Sequence, residues 1–182
     1  MNNTMLRVIV GVFAFGFLSL SASGQAQTAN VSLQSELLKD WIGLKETMHQ
    51  IAAEMPEDKY SFKPTEAQQT FGERVVHVAT ANVYFLNLLG GTATKPTIDP
   101  KATSKDSALK ALDESFDYGV VILKQQTNET LLQPVASAPK FMGPSSRARI
   151  IAFLGGHTWD IYGQMAVYLR LNGRVPPASQ KM

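Results

Sequence analysis

Three histidines, His49, His77 and His157, are the side chains of this 182-residue chain best suited to hold a metal ion. The chain has no cysteine, which excludes disulfides, zinc-thiolate sites, a thiol nucleophile and a cysteine-linked lipid anchor. A metal ion would therefore have to be bound by imidazole, carboxylate or water. Imidazole suits zinc, nickel and ferrous iron. The positions of these three residues on the predicted helices thus decide whether a metal site can form.

His157 lies in the longest predicted helix, residues 145–173. Apolar residues recur there at steps of three and four, the spacing of one helix face, and His157 occupies one position of this stripe. The other members of the stripe are Ile150, Leu154, Ile161, Met165 and Tyr168. Ser145 or Ser146 is expected to cap the start of the helix, and Gly173 its end. Such a stripe must pack against other helices, so His157 is predicted to face inward.

Three further segments have helical periodicity: residues 32–55, 70–89 and 104–127. Pro56 ends the first of them, and Gly90 and Gly91 end the second. Thr70 and Glu73 have the T-x-x-E spacing of a capping box at the start of the second helix. No segment after residue 30 shows the alternation typical of a strand. The sequence therefore predicts an all-α fold, a four-helix bundle over residues 30–179.

His77 lies on the second helix, on a face shared with Ala81 and Tyr84, and is predicted to face inward. Ligands from different helices converge in the cores of bundles, so His77 and His157 form a candidate metal site. His49 falls about 100° from the centre of the apolar stripe of the first helix, at about 100° per residue. We therefore expect His49 on a flank of the bundle or in solvent.

The third metal ligand is not evident from the sequence. A catalytic zinc site usually has three protein ligands and one open position for water. Asp160, three residues after His157, and Glu73, on the helix of His77, are the two candidates. Glu73 already has a capping role, and Asp160 has the alternative of a surface position. Without a metal ion, the two histidines are expected to hydrogen-bond each other or nearby backbone groups.

Residues 1–26 are typical of an export signal. A polar start with one cation, Arg7, precedes an apolar run at residues 8–20 and small residues that suit a signal peptidase. The run is shorter than the roughly 20 residues of a transmembrane helix, which disfavours the alternative of an uncleaved anchor. We expect bacterial export, a periplasmic or secreted product and no stable membrane span after cleavage. The net charge of +2 is too small to indicate nucleic acid as a partner.

Two segments resemble a known family. The ending GHTWDIYGQMAVYLRLNGRVPPAS is similar to the last helix of DinB-like proteins, and MPEDKYSFKPTEAQQTFGERVVHVATAN is similar to their entry into the second helix. The resemblance covers residues 31–179 and implies a DinB/YfiT-like bundle with up-down-down-up topology, often dimeric. It also implies a three-histidine site for a divalent metal ion, at His77, His157 and a third position occupied here by Ile161.

Ile161 cannot coordinate a metal ion, so the implied site is degenerate. DinB-like proteins of known activity are thiol-dependent transferases or isomerases that use the metal to bind a thiol. Such thiol cofactors belong to the cytoplasm, whereas this chain is predicted to be exported. The isoleucine at the third ligand position and the predicted export both argue against assigning this thiol-dependent activity to the chain.

Three hypotheses for the function remain open. The first is an exported DinB-like protein in which His77 and His157, with water or Asp160, hold a divalent ion, zinc or nickel. The second is a non-catalytic module that binds a small-molecule ligand between the second and fourth helices. The third is a metal-dependent hydrolase or transferase in which a carboxylate replaces the missing histidine. Glycines at 155, 156 and 163 indicate close helix packing or the contact of a homodimer.

Overall fold

The computed structural model describes residues 31–180. In chain order the helices are α1 (Leu33–Glu54), α2 (Phe71–Asn87), α3 (Lys105–Lys124), the short α4 (Asn128–Leu132), α5 (Arg147–Leu171) and the short α6 (Pro177–Gln180). Single turns of 3-10 helix at Glu57–Lys59 and Lys140–Met142 lie in the connections. The four long helices α1, α2, α3 and α5 form the bundle, which confirms the predicted all-α fold.

Hydrogen bonds at the helix ends follow the sequence signals. The Thr70 hydroxyl accepts from the backbone N–H of Glu73 at 3.2 Å, and the Glu73 carboxylate accepts from that of Thr70 at 2.6 Å. Ser146 caps α5 by accepting from the backbone N–H of Arg149. Gly173 ends the same helix with a φ of 69°, a left-handed conformation that glycine adopts without strain. The predicted capping box and both predicted ends of α5 are therefore confirmed.

Among the first three long helices, one neighbouring pair is parallel and the other is antiparallel. α2 and α3 are parallel, since Gly72 approaches Thr103 near their starts and Gly91 approaches Gln125 near their ends. Parallel neighbours need a long crossover connection, which residues 88–104 supply. α1 is antiparallel to α3, because Gln34 at the start of α1 donates to the carbonyl of Leu123 near the end of α3.

α5 completes the bundle by packing between α1 and α2. Arg147, at the start of α5, donates to the Leu89 carbonyl just after α2, at 2.9 Å. Tyr168, near the end of α5, donates to the Gln69 carbonyl just before α2, at 2.7 Å. These two contacts make α5 antiparallel to α2. With α1 and α2 at diagonal positions, the order is up-down-down-up, as the resemblance to DinB-like proteins implies.

Trp41 is the central contact between α1 and α3. Its side chain is 2% exposed, its indole N–H donates to the Phe116 carbonyl at 3.0 Å, and the two rings lie 4.8 Å apart. The indole lies directly on Gly119, where a methyl group would come within 3.0 Å of three indole atoms. The α1–α3 spacing at this level therefore depends on the absence of a side chain at position 119.

Gly155, Gly156 and Gly163 do not have this role. No heavy atom lies within 4 Å of the position that a Cβ would occupy at Gly155, Gly156 or Gly163. The prediction that these glycines allow close packing of helices is therefore wrong within this chain. Two of them, Gly155 and Gly156, instead border an open groove between α1 and α5.

Residues 31–180 contain no helix that combines the length and the apolar composition needed to cross a bilayer. The predicted export signal, residues 1–26, lies outside the described residues.

Candidate functional site

The antiparallel packing of α2 on α5 brings His77 and His157 together. Phe85 and Phe153 pack with ring centroids 5.2 Å apart on one side of the pair, toward the start of α5. On the other side, Tyr168 packs against the residues that precede α2. The two histidines face each other between these contacts, 80 residues apart in sequence.

The two imidazoles are in direct contact. Their Nε2 atoms lie 3.1 Å apart, and the ring centroids lie 5.0 Å apart with the planes at 76°. In a hydrogen bond between the Nε2 atoms, one ring is the donor and the other the acceptor, so two neutral rings that share this bond have different tautomers. The structure thus shows the mutual hydrogen bond that the sequence analysis expected for a metal-free pair.

The pair lies at the edge of the helix interface. His77 is exposed and His157 is half-buried, so the prediction that both point into an interior pocket is wrong. The reason is that α2 packs against both α3 and α5, so the centre of its buried face lies between these two contacts. His77 is at the border of this face, where one edge of each imidazole remains open to solvent.

The surroundings of the pair favour neutral imidazoles. Partial burial, the neighbouring His157 and the Arg74 guanidinium together lower the pKa of His77 below its usual value. Burial also lowers the pKa of His157, although the Asp160 carboxylate acts in the opposite direction. Near neutral pH both imidazoles are therefore uncharged, the state in which a ring nitrogen can accept a hydrogen bond or bind a metal ion.

Neither predicted carboxylate reaches the pair as a ligand. Asp160 is exposed and accepts a hydrogen bond from the Gln164 side-chain amide at 2.9 Å. Glu73 is committed to the capping box with Thr70. Among residues 31–180, no three His, Cys, Asp or Glu side chains are grouped closely enough to hold one ion. Of the three predicted ligands, the structure therefore brings together His77 and His157 but not Asp160.

The third corner of the site is apolar, as the sequence analysis expected. Ile161 follows His157 by one helical turn and is 2% exposed. The remaining histidine, His49, is on α1, where its Nδ1 lies 2.9 Å from an Asp113 carboxylate oxygen on α3. His49 therefore has a separate role in the α1–α3 contact.

The spacing of the two Nε2 atoms fits a shared ion. Two nitrogens bound to one zinc ion at about 2.0–2.1 Å are about 3.3 Å apart in tetrahedral geometry and about 3.0 Å apart in octahedral geometry. The observed 3.1 Å lies between these values. Two imidazoles alone leave at least half of the coordination positions to water or to a ligand. The side chains present thus fit a divalent ion held at two points only.

The aromatic residues of α5 do not line the histidine site. Tyr168 belongs to the core, and its hydroxyl bonds the Gln69 carbonyl. Tyr162 packs against Trp159, with ring centroids 5.4 Å apart, and its hydroxyl is buried without a hydrogen-bond partner among the described residues. These contacts do not place Tyr162 or Tyr168 beside the histidines.

The sequence analysis missed Arg74 as a residue of this site. Arg74 precedes His77 by three positions on α2, and its charge acts on the His77 imidazole. Its Nε is buried without a hydrogen-bond partner among residues 31–180. The sequence shows that Arg74 and His77 share one helix face. It does not show that the Arg74 Nε lacks a hydrogen-bond partner among the described residues.

A cavity lies between α1 and α5. It has a volume of about 780 Å³ and is lined mainly by apolar residues, including Trp41, Leu44, Ile151 and Trp159. The second hypothesis placed a ligand between α2 and α5. This cavity is a separate place from that interface, because positions 155 and 159 point about 160° away from His157 at about 100° per residue.

The DinB family model matches residues 26–181. The chain belongs to the DinB family. This membership confirms the resemblance seen in the sequence. It covers the whole helical bundle and agrees with the up-down-down-up order of the four long helices.

Two Bacillus proteins illustrate the relationship. The chain is 22% identical over 151 residues to the protein YjoA of Bacillus subtilis, covering 81% of this chain and 97% of YjoA. The crystal structure of YjoA, a DinB-like protein, matches this fold with a TM-score of 0.62 and 20% identity, over 81% of this chain and 99% of that one. A DinB-like protein from Bacillus cereus matches with a TM-score of 0.63 and 18% identity, over 79% and 95% of the two chains. At these identities the structural likeness shows the DinB fold alone.

The lowered pKa values predict that the metal-free DinB bundle loses stability in mild acid. The unfolded chain, with histidine pKa values near 6.5, binds more protons than the folded chain below that pH. The free energy of unfolding should therefore decrease as the pH falls from about 7 to about 5. Urea unfolding in the presence of a chelator, measured at several pH values, checks this.

The double variant His77→Gln, His157→Gln is the matched control for that measurement. It retains His49 and every carboxylate but lacks the pair, so its stability should depend less on pH over the same range. Equal pH dependence in the wild type and the double variant would contradict the assignment.

Proposed function

We propose that this DinB family protein is exported and binds one divalent metal ion, zinc or nickel, through His77 and His157. The observation that carries the proposal is the 3.1 Å separation of the two Nε2 atoms, which matches two ligands of one ion. The remaining positions are filled by water or by a bound ligand, because Ile161 occupies the place of a third histidine. Binding is accordingly weaker than at a three-histidine site.

The charge state of the pair supports this proposal. A histidine must be neutral to bind a metal ion, and the pKa of both imidazoles is lowered. For both Nε2 atoms to bind the ion, the ring that donates in the Nε2 contact must carry its proton on Nδ1 instead, and both imidazoles then stay neutral. The position at the edge of the α2–α5 interface gives the ion an entry path. A bound divalent ion would act as a Lewis acid toward water or an anionic ligand.

Export separates this chain from the thiol chemistry of cytoplasmic DinB-like enzymes. The signal at residues 1–26 supports a periplasmic or secreted product, where a cytoplasmic thiol cofactor is absent. We therefore propose no thiol transfer for this protein. Mass spectrometry of the N-terminus in periplasmic and culture fractions of a bacterial host tests export, and an intact N-terminus in the cytoplasm would contradict it.

Substitution of either histidine tests metal binding. His77→Ala is expected to weaken zinc or nickel binding by about tenfold or more, equivalent to about 1.4 kcal/mol or more, because one of two protein ligands is lost. Isothermal titration calorimetry on protein purified without an affinity tag measures the change, and His157→Ala should have the same effect.

His49→Ala is the matched control, since it removes the one other imidazole, which is bonded to Asp113 outside the site. Its zinc affinity should equal that of the wild type. If His49→Ala lowers the affinity as much as His77→Ala does, the ion is bound elsewhere.

The groove between α1 and α5 supports a second candidate function, a non-catalytic small-ligand module. Its volume of about 780 Å³ is in the range of pockets for small molecules, about 300–1,000 Å³. The glycines that line the groove contribute no side chains to its wall. Trp159, at the edge of the groove, is 51% exposed. Fluorescence of the two tryptophans should respond to an apolar ligand, and an unchanged spectrum with a panel of apolar dyes would contradict this function.

A further inference from the structure

Arg74 is a half-buried cation without a counterion in the structure. Its Nε is shut off from solvent and has no hydrogen-bond acceptor, and its guanidinium makes no hydrogen bond or ion pair within residues 31–180. A buried donor without a partner is costly, and such groups are usually satisfied by a protein atom, a water molecule or a ligand. The guanidinium remains charged at any physiological pH.

Three of the other arginines within residues 31–180 have close hydrogen-bond or ion-pair partners. Arg147 donates to the carbonyls of Leu89 and Thr130, Arg174 pairs with Glu54 at 2.6 Å, and Arg149 bonds the Met142 carbonyl and Ser145. Arg170 is exposed and only weakly bonded to Ser179, at 3.5 Å. Arg74 is therefore the exception in the part of the chain that the structure describes: partly buried, close to the histidine pair and without a partner.

The register of the helices places Arg74 at the histidine pair. Residues three apart on a helix are neighbours on one face, so the stem of Arg74 lies one turn before His77. Because α2 and α5 are antiparallel, Arg74 and Ile161 flank the pair on the same side, toward the end of α5. The side of the site that lacks a third ligand is thus the side on which Arg74 contributes a positive charge.

No carboxylate within residues 31–180 pairs with this charge. Glu73, next to Arg74 in sequence, bonds the backbone N–H of Thr70, and Asp160 is held by Gln164. The two imidazoles are neutral. The site therefore combines one fixed positive charge with imidazole nitrogens at the mouth of an interface, an arrangement complementary to an anion.

We propose that the histidine site binds a small molecule through an oxyanion group, a carboxylate or a phosphate, which Arg74 holds beside His77 and His157. The two Nη groups of the guanidinium can offer parallel N–H donors to such a group, and a neutral imidazole can donate a third hydrogen bond. The inference rests on the proposed function in that it uses the same histidine pair. It does not require a bound metal ion, because Arg74 supplies the charge.

Titration of metal-free protein with inorganic phosphate and, separately, with acetate tests this proposal. In chelator-treated protein, the NMR signals of the imidazole side chains of His77 and His157 should shift with increasing anion, while those of His49 should not. Arg74→Gln should weaken the binding of the anion by about tenfold, since a charge-assisted hydrogen bond is lost. Arg74→Lys, which keeps the charge, should retain part of the affinity.

Arg170→Gln is the matched control, because it removes an exposed arginine of α5 that has no place in the site. Thermal unfolding of every variant verifies the fold. If phosphate shifts the signals and acetate does not, the oxyanion is a phosphate; the reverse result indicates a carboxylate. Anion affinity that is the same in Arg74→Gln and in the wild type, or no shift with either anion, would overturn the inference.

The two proposals fail separately. Arg74-dependent anion binding in a protein that binds no zinc would leave the anion site standing and remove the metal site. Zinc binding that depends on His77, together with anion binding that is unchanged in Arg74→Gln, would leave the metal site standing and remove the anion site.

Discussion

Ile161→His is expected to raise the zinc affinity of the protein by about a hundredfold, equivalent to about 2.7 kcal/mol. Position 161 follows His157 by four residues, so its side chain lies on the same face of α5, one turn further along. A third imidazole there would complete the three-ligand set that zinc commonly has in open sites. Calorimetric titration of the wild type and the variant under the same conditions measures the gain.

The gain in affinity has a cost in stability. Ile161 is 2% exposed, and an imidazole buried there without a metal ion costs about 1–3 kcal/mol. The metal-free variant should therefore unfold at a lower temperature than the wild type, and zinc should restore the loss by binding only the folded state. Thermal unfolding with and without zinc separates the two effects.

Two further variants make the result specific to the site. Ile161→Gln introduces a polar side chain of similar length without an imidazole and should leave zinc affinity unchanged. In the combination Ile161→His, His77→Ala most of the gain should disappear, because the two ligands act on one ion and their effects do not add. A hundredfold gain that persists without His77 would show that the new histidine binds zinc at another place.

The fold of this protein could be predicted from local signals. Thr70 and Glu73 are three residues apart and satisfy each other's backbone N–H groups, which is a property of one helix end alone. The stripe from Ile150 to Tyr168 likewise defines one face of α5 without reference to the rest of the chain. Such signals placed the helix boundaries within a few residues, and the recognised family supplied the up-down-down-up order.

The candidate site depends on packing between helices, and there the sequence was insufficient. α2 contacts both α3 and α5, so its buried face is wide, and the position of His77 at the edge of that face is set by the angle between the helices. The same angle decides that Asp160 points to solvent and that Arg74 has no counterion among the residues that the structure describes. None of these outcomes is a property of a single helix.

Two glycines also show that the sequence of a helix does not reveal its contacts with other helices. Gly119 and Gly155 both lie inside long helices, and their local sequence does not distinguish them. Only the structure shows that an indole from another helix lies on one of them and that open space borders the other. Substitutions at these two positions should therefore have opposite effects on stability.

Gly119→Ala is expected to destabilise the protein by about 2 kcal/mol. The added methyl group would come within 3.0 Å of the Trp41 indole, which is buried and bonded to the Phe116 carbonyl. Overpacking of this kind costs about 1–3 kcal/mol, and displacement of the indole would weaken its hydrogen bond by about 1 kcal/mol. The higher helix propensity of alanine returns about 1 kcal/mol. For a chain of this size the melting temperature should fall by about 4–8 °C.

Gly155→Ala is the matched control, a change of the same chemistry in a helix where no atom lies within 4 Å of the new methyl group. It should stabilise the protein by up to about 1 kcal/mol through helix propensity alone. In the combination Trp41→Phe, Gly119→Ala the smaller ring leaves room for the methyl group, so the double variant should be more stable than the sum of the single effects. If Gly119→Ala is as stable as Gly155→Ala, Trp41 does not lie on α3 at this position, and the packing of α1 on α3 is wrong.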